Sequence, residues 1–177
     1  MPQRTLAMMV TATTYGTWLR GDRRGSIHDG RLLPPLPWLE ANDRGRMKYE
    51  TYLFPANRLL EVGQMIGDSL VERMGVVILA LHVARWHMHL VIAATPHDLA
   101  DVVKCAKDAA RYGLKPGRPI WTNGCDKRFC FDEVSVRNRI AYVERHNLRV
   151  DLLARPWNFI NEYARDPSIS PRSMTGG

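Results

Sequence analysis

The chain has 177 residues, of which 45% are hydrophobic, so it is long enough for one domain with a buried core. Its three cysteines are too few for a disulfide scaffold, and its longest apolar run, around residues 75–81, is too short to cross a membrane, so we expect a cytoplasmic protein. The formal net charge of +7 favours nucleic acid or another acidic partner, although a basic protein without such a partner fits the charge equally well.

The first predicted strand covers residues 6–14, a threonine-rich run that ends at Tyr15 and Gly16. In the loop that follows, glycines alternate with aromatic and arginine side chains. Aromatic faces stack on bases and arginines bind phosphates, so this loop is predicted to contact a single strand of DNA. The predicted contacts are Trp18, Arg20, Arg23 and Arg24. An irregular loop that packs Trp18 and Leu19 on the core explains the same residues.

A long insertion of about residues 20–56 carries several prolines and scattered charge, and we expect one short helix in it, at residues 47–53. The next helix is predicted over residues 58–74, where apolar residues recur about every 3.6 positions. Asn57 is its expected N-cap, and Gly75 is its expected C-terminal stop.

Residues 76–82 and 86–94 are predicted to form a hairpin, because only a short connection separates two apolar strands. Alternation along the second strand separates a core face from a second face that carries His87 and His89. The expected core residues are Trp86, Met88, Leu90 and Ile92. Two neighbouring imidazoles on an apolar strand are costly if they are buried without partners, and a bound divalent metal ion would explain them.

A second helix is predicted over residues 98–112, with basic residues at helical spacing on one side. These residues are Lys104, Lys107 and Arg111. Such a stripe is usually a solvated surface, but the charge of the chain makes contact with DNA phosphates an equally good interpretation. A broken fourth strand is predicted in two pieces, 120–122 and 128–131.

The last predicted helix covers residues 136–148, with Ser135 as its N-cap. Its expected buried residues are Val136, Ile140 and Val143. Tyr142 lies off that stripe and shares a side of the helix with three further residues, at separations of three and four positions. These are Arg139, His146 and Arg149. Taken singly, Tyr142 and His146 are most often surface residues, but together with the two strand histidines they indicate a site.

The order strand, helix, strand, strand, helix, strand, helix predicts an α+β sandwich. We expect helices on one face of a single sheet and a final helix that reaches the other face. A single domain is expected over residues 1–165, with a flexible tail over residues 166–177.

Three features of the sequence resemble the HUH single-tyrosine transposases, which include the insertion-sequence and the REP-associated tyrosine transposases. The first is the opening segment 13–19, followed by Gly21-Asp22 and Arg24-Gly25. The second is His87-Met88-His89 on a strand, and the third is the helix segment 140–148 around Tyr142. The HxH motif alone is weak, but the three features in this order are more specific, and the resemblance spans about residues 6–157.

The resemblance implies a ferredoxin-like antiparallel sheet with a C-terminal catalytic helix. It also implies an enzyme of DNA transposition that cleaves and joins single-stranded DNA through a covalent 5′-phosphotyrosine. By matching positions, Tyr142 would be the nucleophile, and His87 and His89 would bind a divalent ion, Mg²⁺ or Mn²⁺. His146 would be the third ligand, where the family usually has Gln or Asn. That departure favours a softer ion or moves ligation to Asn147.

The implied partner is single-stranded DNA with hairpin ends, bound by a monomer or a homodimer. One alternative is a domesticated protein that binds DNA hairpins and has lost cleavage. A second alternative is a metal-dependent hydrolase or structural zinc protein that uses His82, His87, His89 and a cysteine. A replication initiator or relaxase would share the chemistry and differ in its DNA target.

Overall fold

The computed structural model of the chain describes residues 4–28 and 31–163, so the predicted tail 166–177 lies outside the described residues. Within the described part, the strands are β1 (Ala7–Thr13), β2 (Ser26–His28), β3 (Arg31–Leu33), β4 (Ile78–Val83), β5 (His87–Ala93) and β6 (Asp126–Cys130). The helices are α1 (Pro37–Gly45), α2 (Leu59–Met74), α3 (Leu99–Leu114) and α4 (Glu133–Leu148). None of these helices is both long and apolar enough to cross a membrane.

The central sheet has four strands in the order β4-β5-β1-β6, and every neighbouring pair is antiparallel. Helix α2 connects β1 to β4, and α3 connects β5 to β6. This β-α-β-β-α-β succession is the ferredoxin-like arrangement, so the predicted fold class is confirmed. The strands β2 and β3 form a separate hairpin in the insertion that follows β1.

The two faces of the sheet are covered differently. On one face, Leu90 and Ile92 are buried in a large apolar cluster that includes residues of α2 and α3. On the other face, α4 covers a smaller apolar cluster that includes Val91. This second face changes from apolar to polar along β5, because His87 and His89 continue it beyond Val91.

Strand β4 contains an irregularity that changes which face of the sheet its side chains point to. Its pairing with β5 shifts between Ile78 and Ala80, as in a β-bulge. Ile78 belongs to the α2–α3 side, whereas Leu79 and Ala80 both belong to the cluster under α4. Beyond the bulge, alternation resumes and His82 points to the α4 side, opposite His89.

The segment after α4 returns across α2 and covers it. The Trp157 indole Nε1 donates to the Leu60 carbonyl over 3.0 Å. The ring of Trp157 lies so close to Gly63 that a Cβ added there would collide with it. Phe159 covers Gly67 in the same way. Two glycines one helical turn apart therefore make room for two aromatic rings.

Several predicted boundaries are wrong. Residues 47–53 form no helix, and the insertion forms its helix at Pro37–Gly45 instead, where Pro37 occupies the first turn. Asn57 does not cap α2, because a short 3-10 turn at Ala56–Arg58 precedes that helix, whereas Gly75 ends it in the left-handed conformation, as predicted. Ser135 is not the cap of α4.

The actual N-cap of α4 is Asp132, whose carboxylate accepts hydrogen bonds from the Ser135 backbone N–H and hydroxyl, each over 2.7 Å. The predicted fourth strand is continuous only at Asp126–Cys130, while Trp121 makes an isolated bridge with Thr14. Trp86 is not a core residue, because β5 begins one residue later, at His87. The side chain of Trp86 is half-buried and lines a cleft beside His87.

Candidate metal and catalytic site

The histidines of the site come from two neighbouring strands. The β4–β5 hairpin places His82 directly opposite His89, and His89 lies opposite Thr11 of β1. Residues opposite each other in antiparallel strands point to the same face, so these side chains form a row across the sheet. His87 begins the next row, opposite Thr13. All three histidines are buried.

Helix α4 brings Tyr142 and His146 over these rings. The ring centroids of Tyr142 and His146 are 4.6 Å apart, as expected for residues four positions apart on a helix. The Tyr142 ring lies 5.4 Å from the His89 ring, and the His146 ring lies 5.0 Å from it. Tyr142 is 37% exposed, so a substrate can reach its hydroxyl from solvent. Tyr142, His87, His89 and His146 are thus together within one chain.

A group of three histidines has the spacing of metal ligands. One ring nitrogen from each of His82, His87 and His146 lies within 4.8 Å of the others. Two buried nitrogens, Nδ1 of His87 and Nε2 of His146, have no hydrogen-bond partner among the described residues. Buried polar atoms without partners are unfavourable, and a metal ion would satisfy them. The residues present therefore fit a divalent cation, and within the described chain this group includes no cysteine.

Burial keeps these imidazoles in the form that binds metals. Desolvation lowers the pKa of His87 to about 3 and the pKa of His89 to about 2, and the neighbouring imidazoles add to both shifts. Burial also lowers the pKa of His82 and of His146. Since metal ions bind neutral imidazole, these rings are ready to act as ligands at neutral pH.

Asn147 follows His146 but does not point into the site. Its side-chain amide donates to the carbonyls of Leu81 and Ala154, each over 2.9 Å. Its Oδ1 atom lies 2.8 Å from Nδ1 of His82. All three contacts hold this fully buried side chain between β4 and the segment after α4. Asn147 is therefore a positioning residue for His82, and its amide is occupied by these three contacts.

A cleft of about 780 Å³ leads to the histidines and Tyr142. Its wall includes a stack in which the Arg24 guanidinium lies 4.2 Å from the centroid of the Trp18 ring and 5.0 Å from that of Trp86. The Trp86 ring in turn lies 4.0 Å from the His87 ring. Arg128 of β6 also lines the cleft and is paired with Asp126 over 2.9 Å. The cleft thus combines aromatic faces with arginines, which suits a nucleotide strand.

The predicted loop contacts are divided between the cleft and its surroundings. Arg20 lines the cleft and is paired with Asp43 through two hydrogen bonds of 2.8 and 2.6 Å. Arg24 is held by Asp22, and the nearby arginine lowers the pKa of that carboxyl. Arg23 is exposed and does not line the cleft. Trp18 donates its indole N–H to the Gly25 carbonyl, which fixes the ring at the cleft wall.

The predicted basic stripe lies on α3, in the layer on the far side of the sheet from α4. Lys104 is paired with Asp108, and Arg111 is exposed. Lys107 is different, because its amino group donates to the carbonyls of Thr122 and Gly124, and burial lowers its pKa. Lys107 therefore fastens the 122–125 loop, which lines the cleft.

The two arginines predicted beside Tyr142 lie at different depths. Arg139 is half-buried and interacts with the thiol of Cys130, while Arg149 is exposed at the end of α4. Neither of them lines the cleft.

Sequence reasoning missed His82 as a member of the main site and Trp86 as part of the cleft. The signal for His82 was present, because a hairpin with a tight connection after Val83 pairs positions 82 and 89. Arg128 was also missed, since a single arginine on an edge strand carries no signal of its own.

The structure is similar to solved structures, whereas no family model and no curated protein sequence matches the chain. One similar structure is that of a REP-associated tyrosine transposase bound to a REP hairpin. The TM-score is 0.52 and the identity 11%, over 88% of this chain and 76% of that chain. Another is a protein from Deinococcus radiodurans R1 named as a transposase, with a TM-score of 0.42, 17% identity, and coverage of 80% and 91%. The second TM-score is too low to carry an argument. The first shows that this chain shares the fold of that REP-associated tyrosine transposase.

Proposed function

We propose that the chain is a metal-dependent endonuclease and strand transferase for single-stranded DNA, acting in DNA transposition through Tyr142. The observation that carries the proposal is the convergence of an accessible phenol with buried neutral imidazoles, at a ring distance of 5.4 Å from His89. A tyrosine with this access and a metal-binding set beside it is the arrangement that nucleophilic attack on a phosphodiester needs. The fold shared with a REP-associated tyrosine transposase supports the same class of reaction.

In the proposed reaction, the Tyr142 oxygen attacks the phosphorus of a DNA phosphodiester. The new bond joins Tyr142 to the 5′ phosphate, the bond from phosphorus to the 3′ oxygen breaks, and the phenolic proton is lost as the 3′ oxygen gains one. A divalent ion, Mg²⁺ or Mn²⁺, supplies positive charge to the non-bridging phosphate oxygens when bound. His87, His89 and His146 are the proposed holders of that ion, and His82 lies with His87 and His146 in the group that has ligand spacing. The reverse attack by a 3′ hydroxyl would join a new strand without a further energy source.

The cleft is the proposed path of the DNA strand to Tyr142. Trp18 and Trp86 offer faces for base stacking, and Arg24 and Arg128 offer positive charge to the backbone. A net charge of +7 supports an acidic partner of this kind. The similar transposase is bound to a DNA hairpin, and we propose a hairpin end as the partner here as well. The basic residues of α3 and Arg23 remain predicted contacts for DNA outside the cleft.

Tyr142 and the histidines belong to the same chain, which supports a monomer that acts in cis. Helix α4 packs on its own sheet through Val136, Ile140 and Val143, which are all buried. The fully buried Asn147 fastens the end of the helix to β4. These contacts hold the helix on its own sheet, which supports the proposal that one chain completes the site by itself.

The test is a covalent adduct between the protein and labelled single-stranded DNA in the presence of Mg²⁺ or Mn²⁺. The wild-type chain is expected to form an adduct that resists denaturant, and Tyr142→Phe is expected to abolish it, because the phenolic oxygen is the nucleophile. Tyr112→Phe is the matched control, since Tyr112 is an exposed tyrosine on α3. An adduct formed by Tyr142→Phe would contradict the assignment. A wild-type chain that binds DNA hairpins without any adduct would favour the domesticated hairpin-binding protein.

A further inference from the structure

We propose that His82 is a fourth metal ligand, so that the ion sits among four imidazoles and is a transition-metal ion such as Zn²⁺, Co²⁺ or Mn²⁺ rather than Mg²⁺. The inference rests on the proposed function for the position of the ion, and it concerns a residue outside the HxH motif and outside the catalytic helix. It is independent of the chemistry of Tyr142.

The first argument is the hydrogen bonding of Asn147. Both hydrogens of its amide point to carbonyl oxygens, those of Leu81 and Ala154, so the amide nitrogen and oxygen cannot be exchanged without placing oxygen against oxygen. The oxygen must therefore face His82, 2.8 Å from its Nδ1 atom. An amide oxygen only accepts hydrogen bonds, so Nδ1 of His82 carries the proton. The lone pair of His82 is consequently on Nε2.

The second argument is the burial of this arrangement. His82 is 3% exposed and Asn147 is fully buried. A histidine on the surface would not need a buried hydrogen-bond partner to fix the orientation of its ring. Metal-binding histidines typically donate their other ring N–H to a fixed acceptor, which sets the tautomer and the ring orientation. Asn147 gives His82 that contact. One ring nitrogen of His82 lies within 4.8 Å of a ring nitrogen of His87 and of His146, and the last two rings each have a buried nitrogen without a described partner.

The third argument is the arrangement of all four rings. Two imidazoles bound to one ion at angles of about 90–110° have ring centroids about 5 Å apart, given metal–nitrogen distances of about 2.1 Å, and four such ligands leave room for further oxygen ligands on a five- or six-coordinate ion. The six distances among the rings of His82, His87, His89 and His146 range from 4.6 to 6.3 Å. The ligand nitrogens of His82, His87 and His146 already lie within 4.8 Å of one another. His89 lies outside that group, and its Nδ1 atom is 2.8 Å from Oγ1 of Thr11, so Nε2 is the nitrogen that it would offer to the ion.

The ligand set determines which ion the site prefers. Imidazole nitrogen suits Zn²⁺, Co²⁺ and Mn²⁺ better than Mg²⁺, which prefers oxygen ligands and retains its waters. The described metal-binding group contains no carboxylate that would favour Mg²⁺. His146 contributes a nitrogen from α4, and His82 adds one more nitrogen to the set.

The test measures metal binding by the purified full chain without DNA, with Co²⁺ as a spectroscopic probe. We expect one Co²⁺ per chain with visible absorption bands typical of a nitrogen-rich site, displaced by Zn²⁺ and unaffected by millimolar Mg²⁺. His82→Gln should weaken Co²⁺ binding about tenfold or more and change the bands. The matched control is His97→Gln, because His97 is exposed and the hydrogen bond that the described structure gives its ring is to the Met74 carbonyl. Unchanged Co²⁺ affinity and bands in His82→Gln would overturn the proposal.

A second measurement needs no substitution in the buried site. In ¹⁵N-detected spectra of the wild-type chain, Nε2 of His82 should move from the position of a free lone pair to that of a metal-bound nitrogen when Zn²⁺ is added. Nδ1 should keep the shift of a protonated nitrogen. A His82 Nε2 resonance that does not respond to stoichiometric Zn²⁺ would overturn the proposal even if His82→Gln failed to fold.

Tyr142→Phe separates this inference from the proposed function. That variant should bind Co²⁺ like the wild type, since its hydroxyl is not in the ligand set. Metal binding that depends on His82, in a chain that forms no DNA adduct, would refute the proposed function and support the fourth ligand. Adduct formation by His82→Gln at the wild-type metal concentration would refute the fourth ligand and leave the proposed function intact.

Discussion

The same strands place apolar side chains on one face of the sheet and imidazole side chains on part of the other face. On β5, Leu90 faces α2 and α3 in a large apolar cluster, whereas His87 and His89 face α4 and the cleft. The apolar face gains free energy from burial, while the imidazole face buries polar rings, two of whose nitrogens have no described partner. The comparison teaches that one layer contributes most of the stabilisation, whereas the opposite layer loses stability by burying imidazoles that stay neutral and lie close together.

The largest effect is expected on the apolar face. Leu90→Ala removes a fully buried side chain from the cluster beneath α2 and α3, and should lower the free energy of unfolding by about 2–5 kcal/mol. Urea unfolding followed by circular dichroism measures the loss. A loss below about 1 kcal/mol would contradict the view that this face supplies most of the stability.

A somewhat smaller effect is expected where the C-terminal segment covers α2. Gly63→Ala places a methyl group against the Trp157 ring, so the segment must shift, at a cost of about 1–3 kcal/mol. Gly45→Ala in α1 is the matched control, because an added Cβ there meets nothing within 4 Å. The same urea titration compares the two variants. Equal stability of both variants would show that Trp157 does not pack tightly on α2 in solution.

The pH dependence of the metal-free chain reports on the imidazole face. The pKa values of His87 and His89 are lowered to about 3 and about 2, so both rings stay neutral in the fold while unfolded imidazoles take up protons below about pH 6.5. The unfolded state then binds more protons, so stability falls as the pH drops, by about 1 kcal/mol per histidine per pH unit. Urea titrations with EDTA at a series of pH values measure this slope.

His87→Gln should reduce that slope, because glutamine does not titrate. The same slope in the variant and in the wild type would mean that His87 is not the source of the pH dependence.

The smallest effect is expected from replacing a histidine with an apolar residue in the absence of metal. His87→Leu removes a buried nitrogen without a described partner, so the metal-free stability should change by less than about 1 kcal/mol. The variant should, however, lose the stabilisation that Zn²⁺ or Mn²⁺ gives to the wild type, which thermal unfolding with and without the ion measures. If His87→Leu lowered the free energy of unfolding of the metal-free chain as much as Leu90→Ala does, the two faces would contribute equally to stability and the comparison would be wrong.

Much of the site follows from short-range periodicity. Alternation along β5 assigns His87 and His89 to one face, and the helical spacing of α4 puts Tyr142 beside His146. The ferredoxin-like sheet follows from the order of the elements and from the resemblance to HUH transposases. The two spacings depend only on residues that lie close together in the sequence, which is why they could be predicted, whereas the sheet pairs β1 with the distant strands β5 and β6.

The features that sequence reasoning missed depend on longer-range geometry. The position of His82 depends on the register of a hairpin with a bulge, and the role of Asn147 depends on carbonyls that the fold brings together. Trp86 was assigned to the core because alternation was extended one residue beyond the strand. The helix α1 was not predicted because the prolines of the insertion indicated a loop, whereas Pro37 occupies the first turn of that helix.

The bulge between Ile78 and Ala80 has a consequence for how such a site arises and disappears. A regular strand has a period of two, so residues 78 and 82 would point the same way. The one extra residue reverses that relation and lets β4 begin in the apolar layer yet deliver an imidazole to the other side. The insertion or deletion of a single residue at this point would therefore move the histidine side chain to or from the α4 face while the rest of the strand kept its partners. We expect relatives with a regular β4 to lack a histidine at the equivalent position.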